Sequence, residues 1–277
     1  MTPSDAATRR LPAQIVENAP ITEHVRRLVL RVDAGLDPQE VTPGRFFLVQ
    51  VSESTDPFLS RPFSIGDLPD VDTGAGPLLE FAYHVRGRGT EHLATRREGD
   101  TLHVLGPLGN GFEMGPDDVW HLMIAGGIGA APFPLLARRL NLRGARTMYL
   151  VGGRTAEDVL FVDRMKALGA RVMQSTDDGS LGTPGTVLSL LERFLENPPE
   201  PDAALSIYAC GPEPMLRAVA AFLQPHGHDA QLSLEARMAC GVGACQGCAV
   251  ELKPGEEGKV FKRACIDGPI FRLSELV

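Results

Sequence analysis

The stretch from Val119 to Leu140, VWHLMIAGGIGAAPFPLLARRL, limits the fold more than any other. Its apolar run, Val119 to Ala125, reads as a buried strand. That strand meets Gly126, Gly127 and Gly129, and a helix follows with prolines in its first turn, where a missing N–H costs nothing. The alternation then continues. ARTMYLVGG, ARVMQS and ALSIYAC read as strands, TVLSLLERFLEN and EPMLRAVAAFLQ as helices, and Thr155 with Asp158 has the form of a capping box opening a helix to Leu168. Strand and helix in turn predict a doubly wound parallel sheet of nucleotide-binding type.

Before this stretch the pattern is different. Up to about Met114, short runs alternate apolar and polar residues (RRLVLRV, RFFLVQV, LLEFAYHV, DTLHVL), with turn residues such as DPQEVTPG between them. Short strands with little helix predict an antiparallel barrel. From about Leu234 the tail holds four of the five cysteines and resembles neither part. The fold class is therefore α/β plus β. An N-terminal antiparallel β-barrel spans 1–115, a doubly wound parallel α/β nucleotide-binding domain 116–232, and a small cysteine-rich C-terminal domain 233–277.

Charge and composition exclude several classes. A net charge of −8 argues against nucleic acid as a partner, since phosphate contacts demand clustered Lys and Arg. The N-terminal residues contain no apolar run of the secretory kind, and the uncharged stretch Leu122 to Ala137 is too short to span a membrane. An odd cysteine count without a secretion signal points to metal or redox chemistry in the cytoplasm, not to a disulfide framework.

Cys240, Cys245, Cys248 and Cys265 give C-x4-C-x2-C with a fourth cysteine after sixteen intervening residues. That is the spacing of a plant-type [2Fe–2S] cluster. Gly241, Gly243 and Gly247 suit a loop that must wrap a cluster and aim backbone N–H groups at sulfur. Zinc on four thiolates is the rival, but such sites usually offer two C-x2-C pairs, and here there is one.

Two other regions carry ligand-binding patterns. RPFS, Arg61 to Ser64, puts a guanidinium and a hydroxyl on one extended strand, where Arg can fork onto a pyrophosphate; an ordinary surface Arg is the alternative. Gly87, Gly89 and Thr90 form a turn running into a short helix. AGGIGAAPF follows a strand and opens a helix, the context for a dinucleotide pyrophosphate, although Pro132 stands at the third glycine position of the G-x-G-x-x-G fingerprint. Cys210, Gly211 and Pro212 close a later strand, at the edge where parallel sheets bind ligands; Cys210 alone reads as a small core residue. Asp177 and Asp178 follow ARVMQS where an adenosine ribose would lie, which favours NAD over NADP, while Arg154 is a counter-signal. The histidines show no ligand spacing, and no catalytic acid–base pair or Ser/His/Asp triad can be assigned.

Taken together, RPFS, GRGT, GGIGAAPF and CGPEPM resemble the ferredoxin-NADP reductase superfamily. With ARMACGVGACQGC and ACIDGPIF the whole chain resembles, within it, the family of electron-transfer subunits of NAD-linked dihydroorotate dehydrogenases. The resemblance implies FAD at Arg61, Pro62, Phe63, Ser64, Ala82, Tyr83, His84, Gly89 and Thr90, and a [2Fe–2S] cluster on the four tail cysteines. The nucleotide, NAD, falls to Gly126, Gly127, Gly129, Asp177, Cys210, Gly211 and Pro212. It further implies a catalytic FMN-containing dihydroorotate dehydrogenase subunit as partner, in a two-plus-two heterotetramer. Reductase subunits of sulfhydrogenases and of ferredoxin:NADP oxidoreductases share much of the pattern. A non-enzymatic iron–sulfur sensor would need neither flavin nor nucleotide motif. The apolar end of the tail, CIDGPIFRLSELV, is expected to meet another protein; the alternative is that it packs back on the α/β domain.

Overall fold

The computed structural model describes residues 8–32, 35–52, 56–69, 76–201, 203–255 and 258–276. The chain divides into two compact units. One comprises the chain up to Gly111 with Ala236–Val250 and Arg263–Pro269; the other comprises Phe112–Glu235 with Glu251–Lys262 and the end from Ile270.

The first unit is built on β1 (Arg9–Pro20), β2 (Val25–Val32), β3 (Phe46–Gln50), β4 (Arg61–Asp67), β5 (Leu78–His84), the helix α1 (Arg88–Ala94) and β6 (Thr101–Leu108). The strands close into a barrel in the order β1-β2-β5-β4-β3-β6, which leaves no sheet edge open. Period-two alternation supplies its interior: Leu11, Ala13 and Ile15 from β1, Leu28 and Leu30 from β2, Phe47 and Val49 from β3, Phe81 from β5. Phe47 and Phe81 meet edge to face at 5.8 Å. Arg27 on β2 bridges Glu17 and the buried Glu80, the latter at 2.7 Å. β1 was not anticipated. Its alternation is interrupted by Pro12 and polar residues, and a bulge follows Ile15.

The second unit contains β7 (Trp120–Gly126), α2 (Phe133–Leu142), β8 (Arg146–Gly153), α3 (Val162–Ala167), β9 (Arg171–Thr176), β10 (Thr183–Pro184), α4 (Val187–Glu196), β11 (Leu205–Cys210), α5 (Glu213–Leu223) and β12 (Gln231–Ser233). The tail adds the two-stranded pair β13 (Ala249–Gly255) and β14 (Gly258–Arg263), then β15 (Ile270–Arg272) and a last turn of helix, α6 (Leu273–Leu276). The main sheet runs β10-β9-β8-β7-β11-β12-β15. Its pairs are parallel except for β15, which lies antiparallel to β12. α4 buries Val187, Leu190, Leu191 and Phe194, and α5 buries Leu216, Val219, Ala220 and Leu223, the i, i+3, i+4, i+7 stripe of a helix lying on a sheet. Each stripe packs against Leu122, Ile124, Leu150 and Ile207. A fully buried leucine of this kind contributes about 1.5–3 kcal/mol.

Two expectations are corrected. The capping box of Thr155 and Asp158 forms, but it closes a 3-10 turn over Ala156–Asp158; α3 begins only after Phe161, whose φ of 62° breaks the path between them. The end of the tail is not left free for another protein. Ile270, Phe271 and Leu273 are buried, with β15 hydrogen-bonded along β12. Among the described residues no helix is long and apolar enough to cross a membrane.

Candidate functional site

The cysteine loop packs on the outer surface of the barrel. Cys248, Ala264 and Cys265 share one apolar cluster with Phe46, Leu48 and Leu108. The loop turns through Gly241 and Gly243, at φ of 69° and 76°, and through Gln246 at 59°. A methyl group at Gly241 would lie 2.6 Å from Leu48 Cδ1, so the left-handed turn and the close approach both demand glycine there. Gln246 holds its own strained position by donating Nε2–H to the Gly243 carbonyl at 3.0 Å; nothing in the sequence announced this residue.

Cys240 and Cys245 are neighbours, and Cys265 has both Cys248 and Cys240 near it. Cys245 N–H donates to Cys240 Sγ at 3.4 Å, and the Cys245 thiol also reaches that sulfur. The backbone N–H groups of Cys245 and Val242 hold the Cys240 thiol down at about 6, so a thiolate is the favoured form. Cys265 interacts with Cys248, and burial pushes its thiol up to about 12. Ala264 N–H bonds the Cys248 carbonyl at 3.0 Å, and Arg263 N–H bonds Asp267 Oδ2 at 2.8 Å, which brings the fourth cysteine back to the loop. No three of these sulfurs close to within 4.8 Å of one another. One tetrahedral zinc needs all four gathered at a point, whereas a two-iron core takes two thiolates on each iron. The donor set therefore fits the cluster.

On the barrel, strand alternation sets Arg61 and Phe63 on one face of β4, with Pro62 and Ser64 on the other, opposite Leu48 and Phe46. Arg61 lies against Gly89, where a methyl group would come within 2.3 Å of its Nη2. Phe63 packs on Tyr83 at 5.4 Å, and the Tyr83 hydroxyl donates to Asn18 Oδ1 at 2.9 Å. Thr90 is occupied locally: its hydroxyl accepts from Arg86 N–H and donates to the Gly87 carbonyl. Ala82 and His84 alternate with Tyr83, and His84 Nδ1 is buried without a partner among the described residues. An orphaned ring nitrogen and an Arg61 free of carboxylates among those residues fit a bound polar ligand such as a flavin nucleotide.

In the sheet, the turns after β7 and β11 meet backbone to backbone. A methyl group at Gly129 would sit 2.3 Å from the Cys210 carbonyl oxygen, and one at Gly126 or Gly211 would strike the Met215 side chain. These glycines are thus required by packing. Gly127 differs: its φ is 52° and nothing lies within 4 Å of where a methyl would be, so its backbone faces open space. Pro212 caps α5, and the buried Cys210 thiol is pushed up to about 12 by desolvation. Met215, the last residue of the CGPEPM motif and given no role of its own by the sequence, stands in the first turn of α5, where side chains lean back toward the strand ends. After β9, Asp177 is exposed, while Asp178 accepts from Ser180 N–H and Oγ–H, bonds that lower its pKa. Arg154 sits 3.7 Å from Asp158 and is largely exposed.

The chain matches two family models: the iron-sulfur cluster binding domain of dihydroorotate dehydrogenase B over residues 235–277, and the oxidoreductase NAD-binding domain over 123–221. A chain of the NADH-dependent reduced ferredoxin-NADP oxidoreductase superposes with a TM-score of 0.78 at 26% identity, over 96% of this chain and 89% of that one. The ferredoxin reductase of carbazole 1,9a-dioxygenase shares the fold at a TM-score of 0.67 and 24% identity, over 80% and 67%. Barrel, parallel sheet and cysteine loop thus define an iron–sulfur oxidoreductase of ferredoxin-reductase architecture. The dihydroorotate dehydrogenase B (NAD(+)) electron transfer subunit of Geobacillus kaustophilus is 42% identical over 238 residues, 85% of this chain and 86% of its own. That of Caldanaerobacter subterraneus is 35% identical over 97% of this chain and 98% of its own. The chain belongs to this family of electron transfer subunits.

Proposed function

We propose that this chain carries electrons from dihydroorotate, oxidised at FMN in a catalytic partner subunit, by way of a [2Fe–2S] cluster and FAD to NAD+, in pyrimidine biosynthesis. The observation that carries this reading is the convergence of Cys240, Cys245, Cys248 and Cys265, with loop N–H groups that favour thiolate at Cys240. Family membership supports the partner. We assign 1–115 to FAD, 116–232 to NAD and 233–277 to the cluster, with a two-plus-two assembly in the cytoplasm. A nicotinamide exchanges electrons as hydride and a two-iron cluster one at a time, and a flavin supplies the conversion between them.

The chain's own residues bind and orient. Cys240 and Cys245 would hold one iron and Cys248 and Cys265 the other, with the N–H groups of Val242 and Cys245 stabilising sulfur charge. Arg61, Pro62, Phe63 and Ser64 of β4, Ala82, Tyr83 and His84 of β5, and Gly89 and Thr90 of α1 would form the flavin site. Arg61 is the pyrophosphate donor in this assignment, and Phe63 and Tyr83 are its aromatic wall. Gly126, Gly127, Gly129, Cys210, Gly211 and Pro212 would frame the dinucleotide, with Gly127 offering the open backbone. Asp177 would accept the ribose hydroxyls and turn away a 2′-phosphate.

Protein prepared without oxygen should contain iron and sulfide as one cluster and one FAD per chain, reduce dyes with NADH, and fail to oxidise dihydroorotate alone. Stoichiometric zinc without iron, or dihydroorotate oxidation by the isolated chain, would contradict the reading. The likeness to the ferredoxin-NADP oxidoreductase chain supports a second reading, a reductase subunit of that kind of complex. Ferredoxin-dependent turnover without response to the dihydroorotate-oxidising subunit would favour it.

A further inference from the structure

We propose that a recess on the outer face of the barrel, walled by Arg10, Gln50, Ser60, His103 and Cys240, receives an acidic side chain of the catalytic partner subunit. The inference rests on the reading that such a partner exists and deepens it by naming the surface and its chemistry.

Strand register builds the recess. Arg10 of β1 pairs with Leu105 of β6, which pairs with Leu48 of β3; one row along, Pro12 pairs with His103, which pairs with Gln50. Cross-strand neighbours point to one face, so the rows make an apolar floor of Leu48 and Leu105 beside polar walls. Ala239 and Cys240 of the cysteine loop close the other side, around a cavity of about 240 Å³.

The polar walls are poised but uncommitted. Arg10 donates Nη2–H to Gln50 Oε1 at 3.0 Å, and Gln50 is itself anchored through Nε2–H to the Ser52 carbonyl at 2.9 Å. One edge of the guanidinium is thereby fixed, and among the described residues no carboxylate pairs with it. Among the same residues the side chains of His103 and Ser60 make no hydrogen bond. None of the lining residues is acidic, in a chain of net charge −8. A preoriented guanidinium with free N–H groups beside two further hydrogen-bonding side chains matches a carboxylate, which it can grip in bidentate fashion.

The surroundings identify the bearer of that carboxylate as a protein. Phe58, 76% exposed, and Leu59 lead into Ser60; Val242 follows Cys240, and Ile266 follows Cys265, all solvent-exposed. Apolar residues flanking a cationic recess have the composition of a protein interface. The tail beyond Pro269 does not compete for this role, since Ile270, Phe271 and Leu273 are buried in the sheet. Cys240 gives the surface its meaning. A side chain seated in the recess touches a residue assigned to hold the cluster, so the anchor that docks the partner also fixes it where electrons enter the chain.

The test measures association of the full chain with the purified catalytic subunit by titration calorimetry, at two salt concentrations. Wild type is compared with Arg10→Glu, Arg10→Gln, and Arg193→Glu on the exposed side of α4. Arg10→Glu should weaken the Kd about tenfold or more and flatten its salt dependence, with Arg10→Gln intermediate. Arg193→Glu should match wild type. Melting of each free variant reports its fold, and Arg10→Gln carries the test if Arg10→Glu is destabilised. Wild-type affinity in both Arg10 variants, or an equal loss in Arg193→Glu, overturns the inference alone. Failure of the wild-type chain to bind that subunit overturns the functional reading with it.

Discussion

The cysteine loop and the turns at the strand ends of the parallel sheet are both glycine-rich candidate sites, yet they are made differently. In the loop, three of the four tail cysteines lie within nine residues of sequence, and the geometry comes from a local left-handed path, Gly241 to Gln246. At the sheet, no local run suffices. The turn after β7 and the turn after β11 are brought together because these strands pair in register, Ala125 beside Cys210, and Gly129 lets the two backbones touch. One site is written along the chain and the other across it.

That contrast predicts separable failures, the largest in the paired substitutions Gly241→Val and Gly129→Ala. At Gly241 the left-handed backbone costs about 1–2 kcal/mol and the clash with Leu48 about 1–3 kcal/mol more. Iron content per chain should fall sharply while the KM for NADH stays near wild type. Gly129→Ala meets a carbonyl oxygen at 2.3 Å, and separating the turns should raise the KM for NADH about tenfold at full iron content. If either substitution damaged both properties equally, the two sites would not be independent.

This difference also explains how much could be read in advance. Cysteine spacing and the RPFS and CGPEPM motifs are local, so the cysteine loop and the strands bearing the other motifs were legible. The reason for glycine at 126 and 211 was not, because Met215 meets both only once α5 has docked. Helix α3 was misjudged since a capping box certifies a turn, not its continuation past Phe161. The apolar tail was misjudged for a related reason: whether Ile270 and Phe271 face solvent depends on β12 offering a free edge, a fact about the assembled sheet.

Nucleotide choice sharpens the across-the-chain half of the comparison. A carboxylate about 4 Å from a 2′-phosphate repels it by roughly 1–4 kcal/mol between aqueous and protein-surface conditions. Asp178 is committed to Ser180, which makes Asp177 the group proposed to discriminate. Wild type should prefer NADH over NADPH in kcat/KM by about tenfold or more, and Asp177→Ser should erase most of that. Equal kcat/KM values in the wild type would remove Asp177 from the role.

The smallest effect lies beneath the sheet turns. His121 is buried, with Nδ1 3.0 Å from the Tyr208 hydroxyl and Nε2 3.0 Å from the Pro116 carbonyl, and burial lowers its pKa below the usual histidine value. Asp117 opposes that shift and Arg143 adds to it. Because the unfolded chain takes up the proton first, His121 favours the fold above about pH 6.5, and this contribution is lost as pH falls toward the folded value. The slope from one such proton is at most about 1.4 kcal/mol per pH unit. Melting temperature followed from pH 7.5 to 5 should fall less in His121→Gln than in wild type; parallel curves would show that other groups set the acid limit.

The central claim is that electrons cross the chain by way of the cysteine loop, and it is tested most directly by adding the catalytic subunit and following dihydroorotate-dependent NAD+ reduction in wild type and Cys245→Ser. The account predicts coupled turnover in the wild type. In the variant, turnover should fall to background, with NADH-driven dye reduction largely retained. NAD+ reduction from dihydroorotate at a wild-type rate in a variant shown to contain no iron would contradict it.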